Sequence, residues 1–301
     1  MSENRDFSVT VIIPTLGIRK ESLRRAIESV LAQKGVEAIP LVVVNGTRYD
    51  ADLIASLCAD EAVDLIKIET AGVSPARYAG RLRVETRYFA FLDDDDEFLP
   101  DGLAGAIDCF DQDPDLDSVV ANGYGESEGK TFDWFEDFIE SHSDLPLSVL
   151  TENWLTSAGG VYRTHSVPPE IFEKLPNHLE MTVLAFTICQ KFKLRLIDKK
   201  LFIIHLGDTD QVSMSEAYVE AIPEVLDGLI SQTDRPDIID ILRTKRSAAL
   251  HLCAMDAMQK HDMRRAWKRH LQSLRFQGYK RYLWSTRHLI CRMVPGGARS
   301  R

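Results

Sequence analysis

The chain has 301 residues, 45% of them apolar, and a formal net charge of −10, enough to build one large α/β domain, or one domain plus an accessory segment, around a real core. Its five dispersed cysteines include no Cys-x-x-Cys pair, which argues against a disulfide framework and a cysteine zinc site and points to a reducing cytoplasm. The opening MSENRDFSVTVIIP lacks a long apolar run, and no stretch approaches the length of about 18 apolar residues that a membrane span needs, so neither a signal peptide nor a span is expected.

The first half alternates strand and helix. SVTVIIP (8–14) reads as a buried strand, and ESLRRAIESVLAQKG carries Leu23, Ile27, Val30 and Leu31 at helical spacing, with Gly35 as its stop. AIPLVVVNG (38–46) is a second strand, DADLIASLCADE a short helix and VDLIKIE (63–69) a third strand. Pro75 suits the first turn of a helix over PARYAGRLRVE. A fourth strand (88–92) runs into an acidic loop, then come a helix with Leu99, Leu103, Ile107 and Phe110 on one face and a fifth strand, DSVVANG (117–123). This tempo means a largely parallel, doubly wound sheet, whose ligands sit beyond the carboxyl ends of the strands. The turns PTLG, NGT and DDDD all follow strands, so three strand ends share one rim.

The second half is less regular. A strand AGGVYRT, a helix near 178–192 and a strand pair between Lys193 and His205 are expected, and from 216 onward the chain reads as helical. We therefore place an α/β domain at 1–215 and a basic helical extension at 216–301. From Lys260 to Arg301 the charge is +11, against −21 for the rest. Met263, Trp267, Leu271 and Leu274 form a stripe among the cations, which fits a peripheral helix on an anionic leaflet or docking and oligomer contact within the protein; no nucleic-acid fold accompanies it.

Asp93, Asp94, Asp95, Asp96 and Glu97 directly follow the apolar run Tyr88–Leu92. Two charges about 4 Å apart repel by roughly 4 kcal/mol at an effective dielectric near 20, so such a run calls for a cation. GYGESEGKT (123–131) is no phosphate loop, because Tyr124 stands where glycine is needed, and Phe98 denies the acidic run an EF-hand. What remains is an Asp-x-Asp motif, whose hard oxygens suit Mg²⁺ or Mn²⁺ completed by substrate phosphates.

VTVIIPT, LRRAIESVLAQ, GVSPARYAG and FAFLDDDDEFLPDGL resemble, in order and spacing, the motifs of the family 2 glycosyltransferases. The resemblance implies a GT-A fold and an inverting, metal-dependent transfer of a sugar from a nucleotide-sugar donor to a hydroxyl of a glycan or lipid-linked acceptor, as in surface polysaccharide assembly. Cysteine usage and the basic tail together predict a cytoplasmic protein that can sit peripherally at the inner face of a membrane. Pro14 and Thr15 match the turn that contacts the nucleoside, and Asn45 replaces an acid there. Arg77 matches an arginine suited to phosphate, while Tyr78 departs from the usual asparagine. Asp93 and Asp94 would face the donor. Asp95, with Asp93 and His205, would hold Mn²⁺ or Mg²⁺, and Asp96 would support them.

Glu180 is the acid available as general base, although Met181 falls where an aspartate often stands; Asp208 and Asp210 are alternatives, and Ser213 would assist. Trp154, Thr156 and Ser157 would line the acceptor pocket. Two rivals stay open: a degenerate nucleotide-binding scaffold, and a sugar nucleotidyltransferase, for which PTLGIRKES is a poor match.

Overall fold

The computed structural model describes residues 7–138, 144–207, 216–275 and 279–293. Asp208, Asp210 and Ser213 lie outside them. The chain divides into two compact units, Met1–Asp208 and Thr209–Arg301.

In the first unit, strands β1 (Ser8–Thr15), β2 (Glu37–Asn45), β3 (Asp64–Ile68) and β4 (Tyr88–Phe91) pair in parallel in the order β3-β2-β1-β4. Every residue of β1 and of β4 is buried. Strands covered on both faces need continuous apolar runs, and these supply them. Helices α1 (Lys20–Leu31), α2 (Ala51–Cys58) and α3 (Val73–Arg81) make the crossovers. In α1, Leu23, Ala26, Ile27 and Val30 are buried, the spacing of a single helical face. Helix α3 ends four residues before the expected Glu85 and lies so close to β1 that a Cβ on Gly80 would sit 2.5 Å from Ile12 Cγ2. With Thr15 beside Val44 and Ile12 beside Phe91, the ends of β1, β2 and β4 share one rim.

Beyond β4 the sheet turns mixed. It continues β8 (Gly160–Arg163), β6 (Ser118–Ser127), β9 (Leu194–His205) and β5 (Glu97–Phe98), with β8 antiparallel to both β4 and β6. The expected strand pair between Lys193 and His205 is one 12-residue strand, β9, parallel to β6 across an irregular register near Asn122. The apparent phosphate loop is a hairpin: β6 turns at Glu128 and Gly129, both at positive φ, into β7 (Lys130–Asp133). Helices α4 (Gly102–Gln112), α5 (Leu145–Thr151), α6 (Glu170–Glu173) and α7 (Glu180–Lys191) complete the unit.

The second unit holds α8 (Glu216–Ile230), α9 (Pro236–Gln259), α10 (Met263–Ser273), a 3₁₀ turn (Tyr279–Tyr282) and α11 (Leu283–Met293). The buried face of α10 is Ala266, His270 and Ser273, flanked by partly buried Met263 and Trp267. Of the expected stripe, Met263, Trp267 and Leu274 are half-buried and Leu271 points outward at 54% exposure. Arg265 and Arg269 pair with Glu220 of α8 at 2.9 and 2.7 Å, so part of the basic charge is satisfied inside this unit. Among the described residues no helix is long and apolar enough to cross a membrane.

Candidate active site

At the rim of the sheet, Asp93, Asp95, Asp96, Trp134, Asn153, Leu155, Thr156, Ser157, Met181, Ile204 and His205 line one cavity of about 420 Å³. The acidic loop between β4 and β5 thus meets the segment before β8, the start of α7 and the end of β9. The chain supplies its own cations to this loop. Arg77 donates to Asp93 Oδ1 at 3.0 Å, Arg19 pairs with Asp95 and lies 3.4 Å from Asp94, and Arg25 donates to the Asp95 carbonyl at 2.8 Å. Three guanidinium groups therefore answer much of the repulsion that sequence alone assigned to an absent ion.

The four aspartates divide by environment. Asp94 is buried, accepts from Thr15 Oγ1 at 2.5 Å, and has its pKa pushed up to about 6 by burial, with Thr15 and Arg19 pulling the other way. Asp96 is also buried. It accepts from the His205 backbone N–H at 3.2 Å, and burial, then the charges of Asp93 and Asp95, raise its pKa. Asp93 and Asp95 stay 36% and 41% exposed. Asp94 therefore braces the loop against β1, and the two outward carboxylates alternate with the two inward ones.

Several residues expected to touch the donor have internal partners instead. Thr15 is buried and holds Asp94 while accepting from the Gly17 N–H at 2.9 Å; Pro14 is buried inside β1. Asn45 is 4% exposed, donates through Nδ2 to the Thr15 carbonyl and accepts through Oδ1 from the Gly72 N–H, each at 2.9 Å. It ties β1, β2 and the turn before α3 together. Arg77, read as a phosphate ligand, is 1% exposed and bridges Asp93 and Glu180 at 3.0 Å each. Burial works against its charge, yet these two carboxylates outweigh that and raise its pKa. Trp154 is a core residue, fully buried with Nε1 donating to Ser148 Oγ at 3.0 Å.

Glu180 opens α7, where a helix N-terminus favours negative charge. The residue before it, Leu179, sits in the left-handed region at φ 60°, a strained conformation for a side chain of this size. Met181, rather than Glu180, lines the cavity. His205 Nε2 lies 2.6 Å from Glu97 Oε1, which engages one of the two ring nitrogens of this expected metal ligand. Thr156 and Ser157 do line the cavity, and Thr156 Oγ1 is buried without a hydrogen-bond partner among the described residues.

Among the described residues, no group of three His, Cys, Asp or Glu side chains forms a metal cage. The donor chemistry nevertheless fits a hard divalent cation. Asp93 Oδ2 and Asp95 Oδ1 accept no hydrogen bond from the described residues, and Mg²⁺ is commonly held by one or two carboxylates plus substrate phosphates. Arg19, Arg25, Trp134 and Asn153 escaped sequence reading. The two arginines alone had a signal, as cations one and three turns past β1 facing an unneutralised acidic run.

A mostly parallel sheet with an aspartate loop at the end of β4 and helices on both faces defines the class: a GT-A fold. The family model described as Glycosyl transferase family 2 matches residues 10–185, and the chain belongs to that family. It is 31% identical over 118 residues to the uncharacterized glycosyltransferase RP339 of Rickettsia prowazekii (strain Madrid E), a match covering 38% of this chain and 36% of that protein. The chain therefore spans about a third of that relative. Its fold is similar to S. aureus TarS 1-349 solved with UDP-GlcNAc, with a TM-score of 0.59 at 16% identity over 81% of this chain and 72% of that one. For TarS 1-349 solved with UDP the TM-score is 0.53 at 14% identity, over 93% and 91%.

Proposed function

We propose that the protein is an inverting, metal-dependent glycosyltransferase that moves a sugar from a nucleotide-sugar donor to a hydroxyl of a glycan or lipid-linked acceptor in surface polysaccharide synthesis. One observation carries this reading: Asp93 and Asp95 line one cavity at the end of β4, each with a carboxylate oxygen unclaimed by the described residues. Those two oxygens would hold Mg²⁺ or Mn²⁺, which when bound offsets charge developing on a departing diphosphate. Asp94, Asp96 and Arg25 fix the loop so that both outward carboxylates keep their positions.

Glu180 is assigned the base. Arg77 occupies its Oε1 and holds it next to Asp93, leaving Oε2 to take the acceptor proton as the hydroxyl attacks the anomeric carbon. Thr156 and Ser157, which line the cavity, would face the acceptor.

The test is release of nucleoside diphosphate with Mn²⁺ across a panel of nucleotide-sugars, beginning with UDP-GlcNAc because a fold neighbour was solved with it. Asp95→Asn is expected to abolish turnover. Glu180→Gln is expected to abolish transfer but keep donor binding, and the product should carry the inverted anomeric configuration. Full turnover in Asp95→Asn, or a retained configuration, overturns the reading. A second reading is favoured by Met181 in the cavity lining: a nucleotide-binding protein without transfer. It predicts donor binding with no diphosphate released in the presence of any acceptor.

A further inference from the structure

We infer that the outer face of α10 and α11 is a docking surface for an anionic lipid leaflet. This rests on the second unit alone and is independent of the transferase reading. In α11, Leu289 is the inward residue, packed with Ala257, Met258 and Ala266. At about 100° per residue, Leu283, Trp284, Arg287 and Ile290 fall within an arc of about 120° on the opposite side. Leu283, Trp284 and Ile290 are 48%, 66% and 52% exposed. In α10 the residues opposite buried Ala266 are Arg264, Lys268 and Leu271, and these too are exposed. Two neighbouring helices thus turn a mixture of large apolar and cationic side chains to solvent.

The charge on this stretch of the chain is one-sided. No Asp or Glu follows Asp262 in the chain. The acids that reach these helices, Glu216 and Glu220 of α8, are taken up by Lys260, Arg265 and Arg269. Arg264, Lys268, Arg275, Lys280, Arg281 and Arg287 are exposed and form no ion pair among the described residues. Exposed apolar side chains set among unpaired cations match the two halves of a leaflet boundary, where Trp and Leu enter the headgroup region and basic groups meet anionic lipid. A nucleic-acid groove would satisfy the cations but leave Leu271, Leu283 and Ile290 facing phosphate.

The experiment is flotation of the full chain with phosphatidylcholine vesicles, with and without phosphatidylglycerol. Binding is expected only to the anionic vesicles, and added salt should weaken it. Lys268→Glu and Arg287→Glu should each lower the partition constant by more than the roughly fivefold that removal of one basic side chain gives. Trp284→Ala should lower binding while leaving its salt dependence in place, since it removes the apolar contact alone. All three sites are exposed, and circular dichroism reports whether each variant keeps its helices; if one loses them, the other two carry the test. The proposal is overturned if wild type ignores anionic vesicles, or if it binds duplex DNA as tightly and with the same sensitivity to the variants. It is equally overturned if sedimentation shows a dimer that Arg287→Glu dissociates, which would make the face an interface between copies.

Discussion

Arg77 donates through Nη1 to Glu180 Oε1 at 3.0 Å from a side chain that is only 1% exposed. Its other terminal nitrogen reaches Asp93 at the same distance, so one planar fork sets the spacing between the assigned base and an assigned metal ligand. A lysine keeps the charge but cannot bridge both carboxylates. Arg77→Lys is expected to lose one charge-assisted bond of about 1.5–3 kcal/mol, lowering kcat by about tenfold to a hundredfold. Steady-state diphosphate release checks this, with the melting temperature expected to fall as well.

Arg19 pairs with Asp95 from a half-exposed position, and its pKa is raised because Asp94, Asp95 and Asp93 together outweigh its partial burial. The guanidinium occupies one oxygen of a carboxylate assigned to a divalent cation, so the two compete for the same charge. Arg19→Ala is therefore expected to tighten Mn²⁺ binding severalfold in the absence of nucleotide, measured by calorimetry or by electron paramagnetic resonance of free Mn²⁺. Unchanged or weaker binding would show that Arg19 prepares the site instead of contesting it.

The first half was readable because each parallel strand is a continuous apolar run and each helix repeats its buried face at 3.6-residue spacing, so Val9–Ile13 and Leu23–Val30 announce themselves. The mixed half was not. Strand β9 is interrupted by exposed Asp198 and Lys199, which made one strand look like two. The site was readable as a set of residue types on one rim, whereas the internal partners of those residues were not. Thr15, Asn45 and Arg77 carry groups equally able to bind a nucleotide or to brace a loop, and only distance separates the two. In α10 polar His270 and Ser273 take the inward face, each with a hydrogen-bond partner there, while apolar Leu271 stays outward.

Asn45 offers a sharp test of that distinction, because the family pattern prefers an acid at its position. Its Nδ2 donates to the buried Thr15 carbonyl. An aspartate has no donor to replace it and would set a carboxylate oxygen against that carbonyl. Asn45→Asp, the change toward the family pattern, is expected to destabilise the protein by about 1–3 kcal/mol, read as about 2–4 °C of melting temperature per kcal/mol. A variant as stable as wild type would return Asn45 to the donor pocket.

The second unit should be acid-sensitive on its own account. His270 is fully buried in α10, with Nε2 2.7 Å from Thr286 Oγ1 of α11 and Nδ1 unpartnered among the described residues. Burial holds its pKa below 6.5, and His251 of α9 adds to that; His251 is itself lowered by burial and stacks on Tyr282 at 4.5 Å. Glu220 of α8 is committed to Arg265 and Arg269, so its carboxylate is already engaged. For a base whose folded pKa is depressed, the unfolded chain binds the proton more readily. The contribution to stability is therefore complete above the unfolded value near 6.5 and is lost as the pH falls below it toward the folded value. Hydrogen exchange in α9 and α10, corrected for intrinsic rates, should speed up over that window. His270→Gln, which can still donate to Thr286 but does not titrate, should flatten most of the response, whereas an unchanged pH profile in that variant would assign the sensitivity elsewhere.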